Sequence, residues 1–255
     1  MIKIIFNQGI KRLLISSLLV VFAIGLYAQN TSGIIKYDRK SYWIKIMKQL
    51  PWMTAADIER NQLTWGKNQG RPTPHELYFV NDKSVYQRVE KEGESTGWSR
   101  SQEEYTLIRD YKSKKSEDIV ETLGKKYVIE GLPTYKWKIL NEIKEVGGYL
   151  CMKAETTDDV KDQTIHAWFA DAIPVQGGPE GFYGLPGMIL EIDINDGATV
   201  ITATEVEINQ TEIDLPIPKK ISGKKIDRVK FNEISKKFIE DSFKSKRNPF
   251  WTLRY

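Results

Sequence analysis

Between residues 105 and 209 the chain breaks into eight short β-type runs, at 105–111, 118–123, 125–129, 136–140, 149–156, 164–169, 188–194 and 199–209. Turn residues separate them and no amphipathic helix intervenes. Parallel strands need long crossover connections, usually helical, so this spacing excludes βαβ units and predicts an antiparallel meander. One turn is explicit. Asn195-Asp196-Gly197 joins Ile189–Ile194 to Ala198–Thr204, and Asp-Gly between apolar-rich runs predicts a tight hairpin. On its second arm Val200, Thr202, Thr204 and Val206 share one face while Thr199, Ile201, Ala203 and Glu205 share the other. Neither set is purely apolar, which predicts partial cover on both faces.

Within that series lies a dense run of backbone punctuation: Gly177, Gly178, Pro179, Gly181, Gly184, Pro186 and Gly187, flanked by apolar strands. Glycine admits φ > 0 and proline fixes φ, so such a run specifies a defined loop path. Gly178, Pro179, Gly184, Pro186 and Gly187 are the expected structural loop residues.

Upstream, residues 33–42 predict an opening strand and 43–50 a short helix. Thr54 is placed to cap a second helix through Ile58, Leu63 and Trp65. Residues 76–80 and 84–89, joined by Asn81-Asp82-Lys83, predict another hairpin. The charged, small-residue stretch 90–102 predicts an exposed loop. After the extended segment around Pro216 and Pro218, residues 224–246 carry Phe231, Ile234 and Phe238 at helical spacing, with Ile239 and Phe243 beside them. They predict an amphipathic helix packed on the sheet. Glu233, Glu240 and Asp241 on it argue against a membrane-surface role. The fold class expected is α+β: a curved antiparallel β-sheet, an open half-barrel-like meander, with N-terminal helices and one C-terminal amphipathic helix.

Residues 1–28 read as a secretory leader. Lys3, Lys11 and Arg12 precede an apolar run over 13–26, and Leu26-Tyr27-Ala28 ends on a small residue. That run is shorter than the roughly 20 residues a spanning helix needs. Cleavage after Ala28 is expected, leaving one domain over 29–255, exported to the periplasm or beyond and not membrane-spanning. Gln29, not a cysteine, stands directly after the cleavage point, so a lipoprotein is not expected. Without the leader 35 basic residues face 34 acidic ones, a formal balance of +1, which gives no argument for nucleic acid binding. Cys151 is the only cysteine and cannot form an intramolecular disulfide; its strand context predicts a buried thiol.

No catalytic constellation can be assembled. Two histidines are present, His75 and His166, with no nucleophile elbow, zinc helix, P-loop or dinucleotide fingerprint. The expectation is a protein that is not an enzyme and carries no cofactor. Asp158, Asp159 and Asp162, with Glu155 nearby, lack the glycine and terminal glutamate of a calcium loop and predict solvated turn acids. His166 and Cys151 are weak metal candidates, since alternation sends Cys151 and Met152 to opposite strand faces. The aromatic excess of the central region, with Trp137, Tyr149 and Phe169, is either core or the wall of an apolar groove. Trp168, Phe182, Tyr183, Leu185 and Met188 are the residues expected to meet a ligand or partner.

The ordered set Trp137-Lys138-Ile139, Gly148-Tyr149-x-Cys151-x-Lys153-Ala154, Ala167-Trp168-Phe169, Ile173-Pro174, Gly178-Pro179 and Gly184-Leu185-Pro186-Gly187-Met188-Ile189-Leu190 resembles the GLPGLI family of exported bacterial envelope proteins. Met188 stands where that family usually has leucine, a volume-conserving exchange. The resemblance implies a Gram-negative envelope protein with no established activity and no catalytic residues to carry over. The architecture is also similar to that of periplasmic lipoprotein carriers, whose half-barrels shelter acyl chains, although fold alone does not give function. Three readings follow: a non-catalytic module binding an apolar or lipid-like ligand, an interaction protein serving an outer-membrane transporter or envelope peptidase, and metal handling through Cys151, Met152 or His166.

Overall fold

The structure is a computed structural model, and it describes residues 31–89, 104–209, 211 and 213–255. The expected leader and the expected exposed loop at 90–102 lie outside these residues.

Twelve strands form one open sheet in the order β12-β6-β5-β4-β3-β2-β1-β11-β10-β9-β8-β7. They are β1 (Ser32–Ser41), β2 (Pro72–Val80), β3 (Lys83–Arg88), β4 (Tyr105–Asp110), β5 (Lys115–Thr122), β6 (Lys125–Glu130), β7 (Lys138–Val146), β8 (Tyr149–Asp158), β9 (Gln163–Ala170), β10 (Met188–Ile194), β11 (Thr199–Asn209) and β12 (Lys224–Asp227). Among the described residues three α-helices accompany them: α1 (Trp43–Met47), α2 (Ala55–Trp65) and α3 (Arg228–Lys244). The molecule is therefore mostly β, not the α+β expected from its sequence. Its helices are few because the apolar pattern over most of the chain has a period of two.

The single meander also needs correction. β2 to β6 form one antiparallel run and β7 to β11 another, and β1 lies between them, paired with β2 on one side and β11 on the other. Ile35 and Tyr37, buried with strands on both sides, anchor that central position. Pro72 and Pro74 are tolerated in β2 because that end pairs with β1 alone; pairing with β3 starts at His75. On β11 the buried set is Thr199, Ile201 and Ala203, while Val200 and Thr202 are half-buried, as partial cover of both faces requires.

The C-terminal helix begins later than residue 224. Asp227 caps α3, its carboxylate accepting from the backbone N–H of Val229 and Lys230. A capping residue keeps extended geometry, so the residues before it run as β12, parallel to β6. α3 then buries Ser235, Ile239 and Ser242 and sets Phe243 edge-on to Trp52 and Phe231 edge-on to Tyr127. In α2 the Thr54 cap is reciprocal, because the Asp57 carboxylate bonds back to the Thr54 N–H. Among the described residues no helix is long and apolar enough to cross a membrane.

Candidate functional site

The punctuated loop between β9 and β10 is bound tightly to the sheet. A Cβ at Gly187 would overlap the Ala170 carbonyl, so only glycine lets these two backbone segments approach. Between Gly178 and Phe182 a single 3₁₀ turn, Pro179–Gly181, places Glu180 at φ 55°, ψ 18°, a left-handed conformation uncommon for this residue type. That turn drives the Glu180 side chain into the interior.

There the carboxylate meets donors from four elements. Arg254, in the C-terminal segment, grips it bidentately, Nε to Oε2 at 2.7 Å and Nη2 to Oε1 at 2.5 Å. Tyr105 on β4 donates at 2.8 Å and Tyr86 on β3 at 3.3 Å, and Arg39 Nε on β1 lies 3.4 Å away. Burial alone would raise the Glu180 pKa, but Arg254 and Arg39 outweigh it and hold the carboxyl well below its usual range. Arg39 is depressed to about 10, by burial first and then by Arg254. His75 on β2 is fixed as the neutral Nδ1–H tautomer: Nδ1 donates to the Thr73 carbonyl at 3.0 Å while Nε2 accepts from Arg254 at 2.8 Å. Burial, then Arg254, lowers its pKa to about 3.

A second buried carboxylate lies beside the first. Asp118 on β5 is held bidentately by Arg109 on β4 and again by Arg228, the first residue of α3, whose Nε also donates to the Gly131 carbonyl at 3.0 Å. Burial raises its pKa, but the two arginines prevail and keep it ionised. Gly181 joins the two clusters, since a Cβ there would strike Arg109. Two Arg–carboxylate–Arg triads thus stand side by side. Both face a cavity of about 910 Å³, walled by the sheet, the start of α3 and the C-terminal segment that carries Phe250 and Leu253. A smaller depression of about 460 Å³, between α1 and α2, gathers no such charge.

Of the five residues expected to meet a ligand, only Phe182 lines this cavity. Tyr183 stacks on Tyr111 with ring centroids 5.4 Å apart, and its hydroxyl donates to the Pro133 carbonyl. Leu185 and Met188 are 1% and 0% exposed and pack in the core. Trp168 is half-buried under Lys144, whose ammonium lies 4.3 Å from the ring centroid. Of the five loop residues, Gly178 is closely packed too: a Cβ there would come within 2.7 Å of the Ile189 Cβ. Pro179 starts the Glu180 turn, and Gly184 carries φ 93°. Pro186, between buried Leu185 and Gly187, completes the turn into β10.

Cys151 is fully buried, and burial pushes its thiol up to about 11. His166 faces Glu155 at 3.1 Å, four residues along β8 from Cys151, roughly 13 Å at the rise of a strand. These two cannot share an ion. Among the described residues no three His, Cys, Asp or Glu side chains are grouped to hold a metal. Asp158 does what a turn acid does, accepting from the N–H of Val160 and Lys161.

A family model described as "Protein of unknown function (Porph_ging)" matches residues 155–191. The matched stretch holds β9, the Glu180 turn and the start of β10. No curated protein sequence matches the chain. Among solved structures it is similar to PNGF-II in two crystal forms, P21 and C2, each at 15% identity and a TM-score of 0.52 over 81% of this chain. The chain spans about a third of those structures' length, 33% and 32%. That likeness is one of fold. An uncharacterized conserved protein from Thermus thermophilus aligns at 7% identity and a TM-score of 0.37, over 84% of this chain and 99% of that one.

Proposed function

We propose that this is an exported, non-catalytic binding protein of the Gram-negative envelope, of GLPGLI type, which holds a small ligand in the cavity beneath its C-terminal segment. The observation that carries the reading is the cavity's construction. Ile129 on β6 and Thr157 on β8 both line it, although nine strand spacings separate those strands in the sheet. Laid flat, that distance would be about 43 Å at roughly 4.8 Å per strand, whereas a sphere of this volume is about 12 Å across. A sheet bent into a half-barrel around a ligand-sized space fits both facts, and the volume suits a small-molecule site.

Both interior carboxylates are saturated with donors, which argues for scaffolding over proton transfer. The partner-docking reading, for a transporter or peptidase, has less support because Leu185 and Met188 are buried in the core. The match over residues 155–191 overlaps the stretch that carries the GLPGLI resemblance, and residues 1–28 have the build of an export leader. Native mass spectrometry of the protein purified from an envelope extract tests the reading. A discrete adduct that disappears on unfolding is expected, and a bare polypeptide mass from every preparation would overturn it.

A further inference from the structure

The charge inside the cavity is unbalanced. Arg39, Arg109, Arg228 and Arg254 gather around Glu180 and Asp118, with side chains between 2% and 29% exposed; Arg39 donates as well to the Tyr255 backbone oxygen at 2.9 Å, and His75 beside them is neutral. Among these six side chains four cations stand against two anions, an excess of two positive charges. The other acids along the wall do not cancel it. Glu104 is paired with Lys126 and Asp158 interacts with Lys161, so neither adds net charge. Glu121, Asp159 and Asp227 are exposed, so solvent and salt screen them. Buried cations that outnumber the carboxylates paired with them are costly, and an anion brought among them offsets that cost.

A second observation points the same way. Arg109 is 3% exposed and Ser235 4%, and both line the cavity; Arg109 Nε and Ser235 Oγ have no hydrogen-bond partner in the protein. Buried donors are rarely left unused. One comes from β4 and the other from α3, so the cavity offers unused donors on both its sheet side and its helix side. Around them the walls are apolar, with Leu107, Phe182, Phe231 and Phe250 among the lining side chains.

Resting on the binding reading above, we infer that the ligand is a phosphate monoester joined to an apolar body, its doubly charged head seated between the two arginine triads and its body against the aromatic wall. A phosphate monoester carries close to two negative charges at neutral pH, and its oxygens match the fork of an arginine. A single carboxylate would leave one positive charge unanswered. The apolar body has two sources, a lipid chain or a compact aromatic group, and the assay separates them.

Isothermal titration of the folded protein, without its leader, is run with octyl phosphate, phenyl phosphate, octanoate, octyl glucoside and inorganic phosphate. One of the two monoesters should bind at least tenfold more tightly than octanoate, octyl glucoside and inorganic phosphate; octyl phosphate in front points to a lipid source, phenyl phosphate to a soluble one. Arg228→Gln, which leaves the Arg109–Asp118 pair in place, should weaken that binding tenfold or more. Ser235→Ala, which removes only an unused donor, should weaken it about threefold, and Arg60→Gln on the surface of α2 should leave it unchanged. Octyl glucoside or octanoate binding as tightly as the monoesters overturns the inference and leaves the binding reading standing. Inorganic phosphate binding equally well, or Ser235→Ala and Arg228→Gln both binding like the unaltered protein, also overturns it. So does failure of every probe, whereas the binding reading falls only with the mass-spectrometric adduct.

Discussion

At the scale of single residues, the interior of this protein is sensitive to protons. His75 is neutral because protonation would set an N–H⁺ against Arg254. Its folded pKa of about 3 lies below the ordinary value of 6.5, so the unfolded chain takes up a proton that the native state refuses. Stability is then complete above about pH 6.5 and falls as pH drops toward 3. Glu180, also depressed in the folded state, adds its own loss below the carboxylate range, at about 4.5 and lower. Urea midpoints should therefore fall between pH 7 and 5, before carboxylates titrate, and His75→Gln should flatten that part of the curve; an unchanged slope would contradict the neutral tautomer. Removing the Glu180 charge should cost more. Glu180→Gln leaves Arg39 and Arg254 facing each other without their counter-ion, a loss of about 3–5 kcal/mol in urea denaturation at pH 7. Cys151 behaves oppositely to a reactive thiol. Buried and shifted up to about 11, it should resist iodoacetamide in the native protein and react at once in urea.

At the scale of elements, the caps make a simple prediction. Asp227→Ala should destabilise the protein by about 1 kcal/mol, read from the thermal midpoint, without changing its circular dichroism. Most elements were legible in the sequence. The runs at 188–194 and 199–209 coincide with β10 and β11, and the Asn195-Asp196-Gly197 turn stands where Asp-Gly demanded it. The strand β12 was hidden because Phe231, Ile234 and Phe238 impose a helical period whose start only Asp227 defines. The charged site was half visible. Arg109 shares a strand face with Leu107, and Asp118 shares one with Val120, so a charge on an apolar face was readable by alternation. That Arg254 returns to meet Glu180 was not readable, because no local pattern encodes a contact across 74 residues. The loop's aromatic residues drew the expectation toward Leu185 and Met188, whose exposure depends on a path that only tertiary contacts fix.

At the scale of the whole molecule, β1 governs how the fold is reached. Its partner on one side, β2, follows after two short helices, but on the other side Ser32 pairs with Asn209, 177 positions later. The half made of β2 to β6 and the half made of β7 to β11 can each zip through local hairpins, yet within the sheet this first strand is what joins them. Pairings of such range are slow to form, since the entropy of closing the loop must be met before any contact rewards it. Refolding should take milliseconds to seconds or longer, and pulsed hydrogen exchange should show the amides of Ile35 and Ile201 becoming protected in the same phase. Were a chain of this build to emerge leading end first from a narrow pore, β1 would lack its partner on one side until β11 had followed it out. The order of its pairings would then act as a timer, delaying closure until the later long strand is free.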